Sequence, residues 1–218
     1  MPKVRILTEE NCTVFNQYLA EIRDQKVQKD RLRFRKNVER CGEIFAYEIS
    51  KELSFKKREV ITPLGVSEDY MINEQPVLIT ILRAGLPLHQ GLLNRLDNAD
   101  NGYISAYRKH NKDGTFEIEL EYLACPDLEG RTIILSDPML ATGSSMILAY
   151  KALLSKGKPK HCHVVSLIAS SEGLEFTMKN LPQTATIWVG AVDQEMTAQS
   201  YIVPGLGDAG DLAYGTKE

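Results

Sequence analysis

Four short runs of apolar, largely β-branched residues constrain this chain most: residues 77–82, 132–135, 164–169 and 186–189. A strand with one wet face alternates apolar and polar residues. A strand that is apolar throughout must be covered on both faces, which is the habit of parallel sheets. Helix-like stretches separate the runs, at 86–96, 144–155 and 172–180. Strand and helix in alternation predict an α/β, doubly wound core. Ligands of such sheets sit beyond the carboxyl ends of the strands, so the loops that follow each run are where chemistry is expected. The runs are strand-sized, well short of the ~20 residues that span a bilayer. The first residues, Met1-Pro2-Lys3-Val4-Arg5, lack an apolar signal-peptide segment. A cytoplasmic protein is the expectation.

At 218 residues the chain is long enough for one domain with its own core. Residues 1–60 read as a helical N-terminal part, 77–192 as the α/β core and 193–218 as a C-terminal segment. Within 10–53, Phe15, Tyr18, Leu19 and Ile22 form one helical stripe. Phe34, Val38, Cys41, Phe45 and Ile49 form another. Between them lies a basic stretch of Lys29, Arg31, Arg33, Arg35, Lys36 and Arg40. A solvated helix face with ion pairs to Asp30 and Glu39 is the favoured reading; an anionic effector site or charged subunit contact is the alternative. The net charge of −3 excludes bulk polyanion binding, so any phosphate site must be local. Residues 116–123 alternate strictly between apolar and acidic or polar and follow a turn-rich loop at 108–114. They read as a hairpin flap or arm standing off the core.

The cysteines, Cys12, Cys41, Cys125 and Cys162, form no CxxC pair and suggest free thiols in a reducing compartment. His161-Cys162-His163 resembles a metal cluster at a glance. It opens a buried strand, however, where neighbouring side chains alternate faces, so the three are not expected to converge on one ion.

The loop Asp137-Pro138-Met139-Leu140-Ala141-Thr142-Gly143-Ser144-Ser145 follows one apolar run and opens a helix. Amides at a helix start form an anion nest, and Thr142, Ser144 and Ser145 add hydroxyls. The GK[ST] ending of a Walker loop is missing. The site suits a monophosphate ester, with Asp137 placed to accept hydrogen bonds from a sugar diol. Taken alone, the loop could equally be an ordinary strand–helix connection.

With two further segments the pattern becomes specific. Residues 137–145 resemble the phosphoribosyl pyrophosphate (PRPP) loop of uracil phosphoribosyltransferases. Ile81-Leu82-Arg83-Ala84-Gly85-Leu86 resembles their pyrophosphate loop, and residues 201–211 resemble their uracil-binding segment. The resemblance implies a type I-like phosphoribosyltransferase fold. That is a parallel-sheet core flanked by helices, with a β-hairpin flap and a C-terminal uracil-binding hood. It implies PRPP contacts from Arg83, Arg108, Asp137, Pro138, Met139, Leu140, Ala141, Thr142, Gly143, Ser144, Ser145 and Asp208. It assigns Ile202, Gly207, Asp208 and Ala209 to the uracil pocket. Ser144 stands where the family has a second glycine, and serine at positive φ would be strained. His89 and Gln90 also depart from the family pattern.

Arginine suits a diphosphate because its planar fork binds two oxygens at once. Arg108 lies at the root of the expected flap, where closure could be coupled to substrate arrival. The glycines of Pro204-Gly205-Leu206-Gly207-Asp208-Ala209-Gly210 expose bare backbone. Uracil presents acceptor, donor and acceptor along its O4, N3–H and O2 edge. Cytosine reverses the first two, and each unpaired buried polar group costs roughly 1–3 kcal/mol.

The reaction implied is uracil plus PRPP giving UMP and pyrophosphate. No nucleophilic residue is needed; Arg83 and Arg108 would stabilise the leaving group. Mg²⁺ is expected through PRPP, pyrophosphate and water rather than an all-protein site. A homodimer or higher homo-oligomer is expected, with neither membrane nor nucleic acid as partner, and the resemblance allows a GTP effector in some members. The rival readings are an RNA-binding regulator of this fold, a catalytically silent nucleotide sensor, and a purine or orotate transferase.

Overall fold

The computed structural model describes residues 1–110 and 116–216, and within 106–120 it describes the strand backbone alone. The chain runs β1 (Lys3–Ile6), α1 (Leu7–Glu10), α2 (Val14–Arg23), α3 (Arg31–Ser50), β2 (Phe55–Thr62) and β3 (Gly65–Ile72). It continues β4 (Val77–Leu82), α4 (Leu86–Leu93), β5 (Asp100–His110), β6 (Phe116–Ala124), β7 (Thr132–Ser136), β8 (Met139–Leu140) and α5 (Ser144–Leu153). It ends β9 (His161–Ser170), α6 (Ser171–Asn180), β10 (Thr186–Asp193), β11 (Glu195–Met196), β12 (Ile202–Val203) and α7 (Ala209–Tyr214).

The main sheet has the order β1-β10-β9-β7-β4-β5-β6, with β8 added beside β9. Its pairings are parallel except β5 with β6. The four apolar runs are its central strands, as the pattern predicts. Leu78, Ile134, Val165 and Trp188 face one core, packed by Phe15, Phe34, Val38 and Phe45 of α2 and α3. Val77, Ile79, Ile133, Val164 and Ile187 face the other, packed by Met146, Ile147 and Leu153 of α5. Double coverage explains the missing alternation.

The N-terminal helices start where their caps dictate. Thr13 and Asn16 form a capping box on α2, and the Asp30 carboxylate accepts from the Arg33 amide at the start of α3. All five apolar residues of the second stripe are buried. Residues 1–60 are not helical throughout, however. β1 pairs with β10 at the sheet edge, and 55–72 form an antiparallel hairpin outside the main sheet. Its side chains are exposed or half-buried along both strands.

The flap read at 108–123 is a hairpin rooted in the main sheet. β5 pairs with β4 as far as Ser105, shifts register at Ser105/Ala106, and runs on against β6. Residues 111–115 lie outside the described residues. No helix among those described is long and apolar enough to cross a membrane.

Candidate active site

Parallel strands share a direction, so their carboxyl ends lie on one side of the sheet. There the structure holds a cavity of about 570 Å³. Ile81, Leu82 and Ala84 at the end of β4 form one wall, and Asp137 and Met139–Gly143 with Ser145 and Met146 form another. Gln199–Tyr201 and Asp208–Gly210 close it from the C-terminal side. Three segments that sequence reading singled out separately therefore meet around one space.

Asp137 follows the last residue of β7. Its amide donates to the Val165 carbonyl at 3.0 Å, and its Oδ1 accepts from the Met139 amide at 3.4 Å. Burial, with a further push from the charge of Asp208, raises this carboxyl from 3.8 to about 7; the Met139 amide opposes the rise. Gly143 makes the turn into α5 at φ +75°, and a Cβ there would lie 2.5 Å from Thr177 Oγ1. Glycine is required here on both counts. Ser144 is the first residue of α5, one position past the left-handed site, so the strain feared for a serine does not arise. Its hydroxyl accepts from Thr142 Oγ1 at 3.1 Å, and its amide donates to the same oxygen at 3.3 Å.

Arg83 is placed differently from the simplest expectation. It follows a cis peptide after Leu82. Its Nη2 donates to Asp211 Oδ1 at 2.9 Å and to the Gly215 carbonyl at 2.5 Å, tying the β4 loop to the C-terminal helix. Its Nε is buried without a partner, so that donor is uncommitted. The side chain of Arg108 lies outside the described residues. Asp208 lines the cavity and also caps α7, its Oδ1 accepting from the Asp211 amide at 2.9 Å. Pro138, Ser144, Ile202 and Gly207 belong to the wall-forming segments without lining the cavity themselves.

Gln199 and Ser200 are cavity residues that sequence reading did not assign, and Tyr201, at the start of the segment that resembles the uracil-binding one, was given no role of its own. Thr197 holds them in a tight turn: Ser200 N–H donates to its carbonyl at 2.9 Å and Tyr201 N–H to its hydroxyl at 3.1 Å. Ser200 sits at φ +63°. The signal was the polar stretch before Ile202-Val203, which reads as a turn but not as a wall. His89 is a buried residue of α4, with Nε2 2.7 Å from Asn101 Oδ1. Gln90 reaches Asn94. Neither departure from the family pattern lines the cavity.

The histidine pair needs a correction. Cys162 does face away, into the opposite core. His161 and His163, two residues apart, share a face and gather with Glu52, their ligand-type atoms within 4.8 Å of one another. Donor chemistry nonetheless opposes a metal. Trp188 Nε1–H donates to His163 Nδ1 at 3.1 Å, so the proton of the neutral ring sits on Nε2, where a metal would need a lone pair. Burial, with His161 beside it, pushes His163 down to about 3. Lys3 Nζ already holds Glu52, at 2.6 Å. The group lies at the amino ends of the strands, opposite the cavity.

The basic stretch follows the favoured reading in part. Arg33 is held by Glu21, Lys36 by Glu39, and Arg40 by Asn37. Arg35 donates to the Ala213 carbonyl at 2.7 Å, a contact to the C-terminal segment that was not expected.

A parallel sheet with a cavity at its carboxyl ends, walled by an acid-led loop and a glycine-rich C-terminal hood, is the architecture of a phosphoribosyltransferase. A hypoxanthine phosphoribosyltransferase from Staphylococcus aureus shares the fold at a TM-score of 0.50 and 13% identity, over 74% of this chain and 76% of that one. The AQ2163 protein of Aquifex aeolicus superposes with a TM-score of 0.84 at 30% identity, covering 97% of this chain and 98% of that one. The uracil phosphoribosyltransferase family model matches residues 10–216. A uracil phosphoribosyltransferase of Porphyromonas gingivalis is 53% identical over 205 residues, 94% of this chain and 95% of that protein. The chain belongs to the uracil phosphoribosyltransferase family.

Proposed function

We propose that this enzyme transfers the 5-phosphoribosyl group of PRPP to N1 of uracil, giving UMP and pyrophosphate. The observation that carries the proposal is the single cavity shared by the Asp137–Ser145 loop and the Asp208–Gly210 segment. In this reading the amides and hydroxyls of residues 138–145 hold the 5′-phosphate, and Asp137 accepts hydrogen bonds from the ribose hydroxyls. Ile202, Gly207, Asp208 and Ala209 shape the base pocket, with the backbone reading the pyrimidine edge. Asp208 also reaches PRPP. Uracil N1 attacks the anomeric carbon as pyrophosphate leaves, and Arg83 and Arg108 stabilise the charge that develops there. A closed flap would keep water from the electron-poor sugar.

Mg²⁺ suits this site. Asp137 and Asp208 offer hard oxygen donors, and their mutual repulsion marks a place that favours a cation. Held mainly through PRPP, the ion supplies positive charge to the departing pyrophosphate.

The reading extends to a single domain over the whole chain, with 193–218 as its base-binding segment, in the cytoplasm. All four cysteines are free, which suits that compartment. Homo-oligomerisation is supported by the β2–β3 hairpin, which leaves Ile61, Leu64, Val66 and Tyr70 exposed. A two-stranded hairpin is marginal on its own in water, and a second copy would cover it.

The test is UMP formation from labelled uracil with PRPP and Mg²⁺, with cytosine, orotate and hypoxanthine in parallel and GTP added to a matched series. Product from uracil alone is expected. No product from any base, with PRPP still bound, would point instead to a sensor or regulator.

A further inference from the structure

The C-terminal loop that frames the base pocket is gripped from outside by two residues distant in sequence. Arg23 ends α2 and Asp193 ends β10. They form a forked pair, with Nη1 to Oδ2 at 2.8 Å and Nη2 to Oδ1 at 2.9 Å. The same two side chains hold both backbone groups of Gly205. Its N–H donates to Asp193 Oδ2 at 3.0 Å, and its carbonyl accepts from Arg23 Nη1 at 2.9 Å. Gly205 adopts φ +60°, and a Cβ there would lie 2.0 Å from the Ile202 carbonyl. Asp193 is only 8% exposed. A forked pair fixes orientation as well as distance, and a residue bonded through both its N–H and its C=O has little freedom left. Asp208 and Ala209, a few residues on, line the cavity, whereas Arg23 and Asp193 do not.

We propose that Arg23 and Asp193 are positioning residues for base recognition. They pin Gly205 so that the backbone after it presents donors and acceptors to the pyrimidine in fixed register. The proposal rests on the reading that this segment holds uracil. A site that reads its ligand with backbone has few side chains of its own to lock its geometry, so the lock must come from a supporting shell. The clamp sets the affinity for the base and the choice between bases, and acts only weakly on PRPP, because Asp208, the PRPP contact of this segment, has its own anchor in the Asp211 amide.

The test uses two clamp variants and one cavity variant of the full chain. Asp193→Asn keeps the shape and an acceptor for Gly205 while removing the charge. Arg23→Lys keeps the charge and loses the fork. Ala209→Leu puts bulk into the cavity directly. Uracil and PRPP KM values, turnover with cytosine, and thermal melting are measured for each. In the clamp variants, uracil KM should rise about tenfold or more, discrimination against cytosine should fall, and PRPP KM should stay within about twofold. Arg23→Lys should be the milder of the two. A parallel rise of both KM values tracking lost stability, or an unchanged uracil KM in folded variants, overturns the clamp. If Ala209→Leu raises uracil KM while both clamp variants do not, the base-pocket reading survives and the clamp falls. If Ala209→Leu also leaves uracil KM untouched, the base-pocket reading falls with it.

Discussion

Replacing Asp137 by asparagine should make the empty protein more stable while weakening its hold on PRPP. The carboxyl titrates near 7 in the folded chain against 3.8 as the ordinary value, chiefly because burial opposes its charge. A carboxyl whose folded pKa is raised costs nothing below the unfolded pKa. It costs progressively more as pH climbs from 3.8 toward about 7, and a constant amount above that. At about 1.4 kcal/mol per pH unit, the cost is about 2 kcal/mol near pH 5.5 and about 4 kcal/mol near pH 8. Water entering the open cavity reduces both figures, so they are upper bounds. Asparagine carries no such cost. The advantage of Asp137→Asn in the empty protein should therefore grow by up to about 2 kcal/mol between those two pH values. For a domain of this size that corresponds to roughly 4–8 °C in melting temperature.

The assay is thermal melting of wild type and Asp137→Asn at both pH values, with and without PRPP. PRPP should stabilise the wild type more than the variant, because only a carboxylate accepts strongly from two hydroxyls. A melting difference independent of pH would refute the raised pKa. A variant that matches wild type in PRPP-induced stabilisation would refute the ribose role.

Arg83→Ala should raise PRPP KM by about 10- to 100-fold, since each charge-assisted contact is worth about 1.5–3 kcal/mol; unchanged PRPP kinetics would remove Arg83 from the pyrophosphate site. Gly143→Ala should lower stability by about 1–3 kcal/mol through its left-handed φ and its crowding by Thr177, and an unaltered melting curve would show that the loop relaxes freely. Ile61→Ser combined with Leu64→Ser should shift the mass in sedimentation toward a monomer with little loss of monomer stability, because both side chains are exposed in the single chain; an unchanged mass would place the contact elsewhere.

What could be read in advance follows from how local each signal is. The central strands announced themselves because residues such as Val77 and Leu78 are buried on opposite faces, so no polar residue interrupts the run. The Asp137–Ser145 loop was legible as a strand-to-helix turn because strand, acid, glycine and helix start are contiguous. The β2–β3 hairpin was missed for the opposite reason. Apart from Ile72 at the end of the second, its strands, Phe55–Thr62 and Gly65–Ile72, face no core of their own chain, so charged residues fill them without period. β1 is a four-residue edge strand whose buried neighbour, β10, lies almost the whole chain away. Arg83 was read as a pyrophosphate contact, but its partner Asp211 stands 128 residues on, and no spacing rule reaches that far.

The same distance effect recasts the basic helices. Their charge suggested a solvated face or an effector site, yet one of these side chains ends on the C-terminal segment, where an arginine of the β4 loop joins it. Arg35 donates to the carbonyl of Ala213, and Arg83 to that of Gly215. Both are acceptors at the carboxyl end of α7, where cations are favoured by the helix dipole. α7 has six residues, too few to be stable without outside contacts. Arg23 holds Gly205 a few residues earlier. Arginines from the N-terminal helices and from the β4 loop thus supply the order that the glycine-rich segment cannot generate itself. A glycine-rich backbone can approach a planar base closely because it lacks side chains, and for the same reason it has little of its own to pack. If this segment holds the base as proposed, the N-terminal helices are part of the base site, since they hold its backbone still, and the α/β core alone would bind phosphoribose better than it could choose a base.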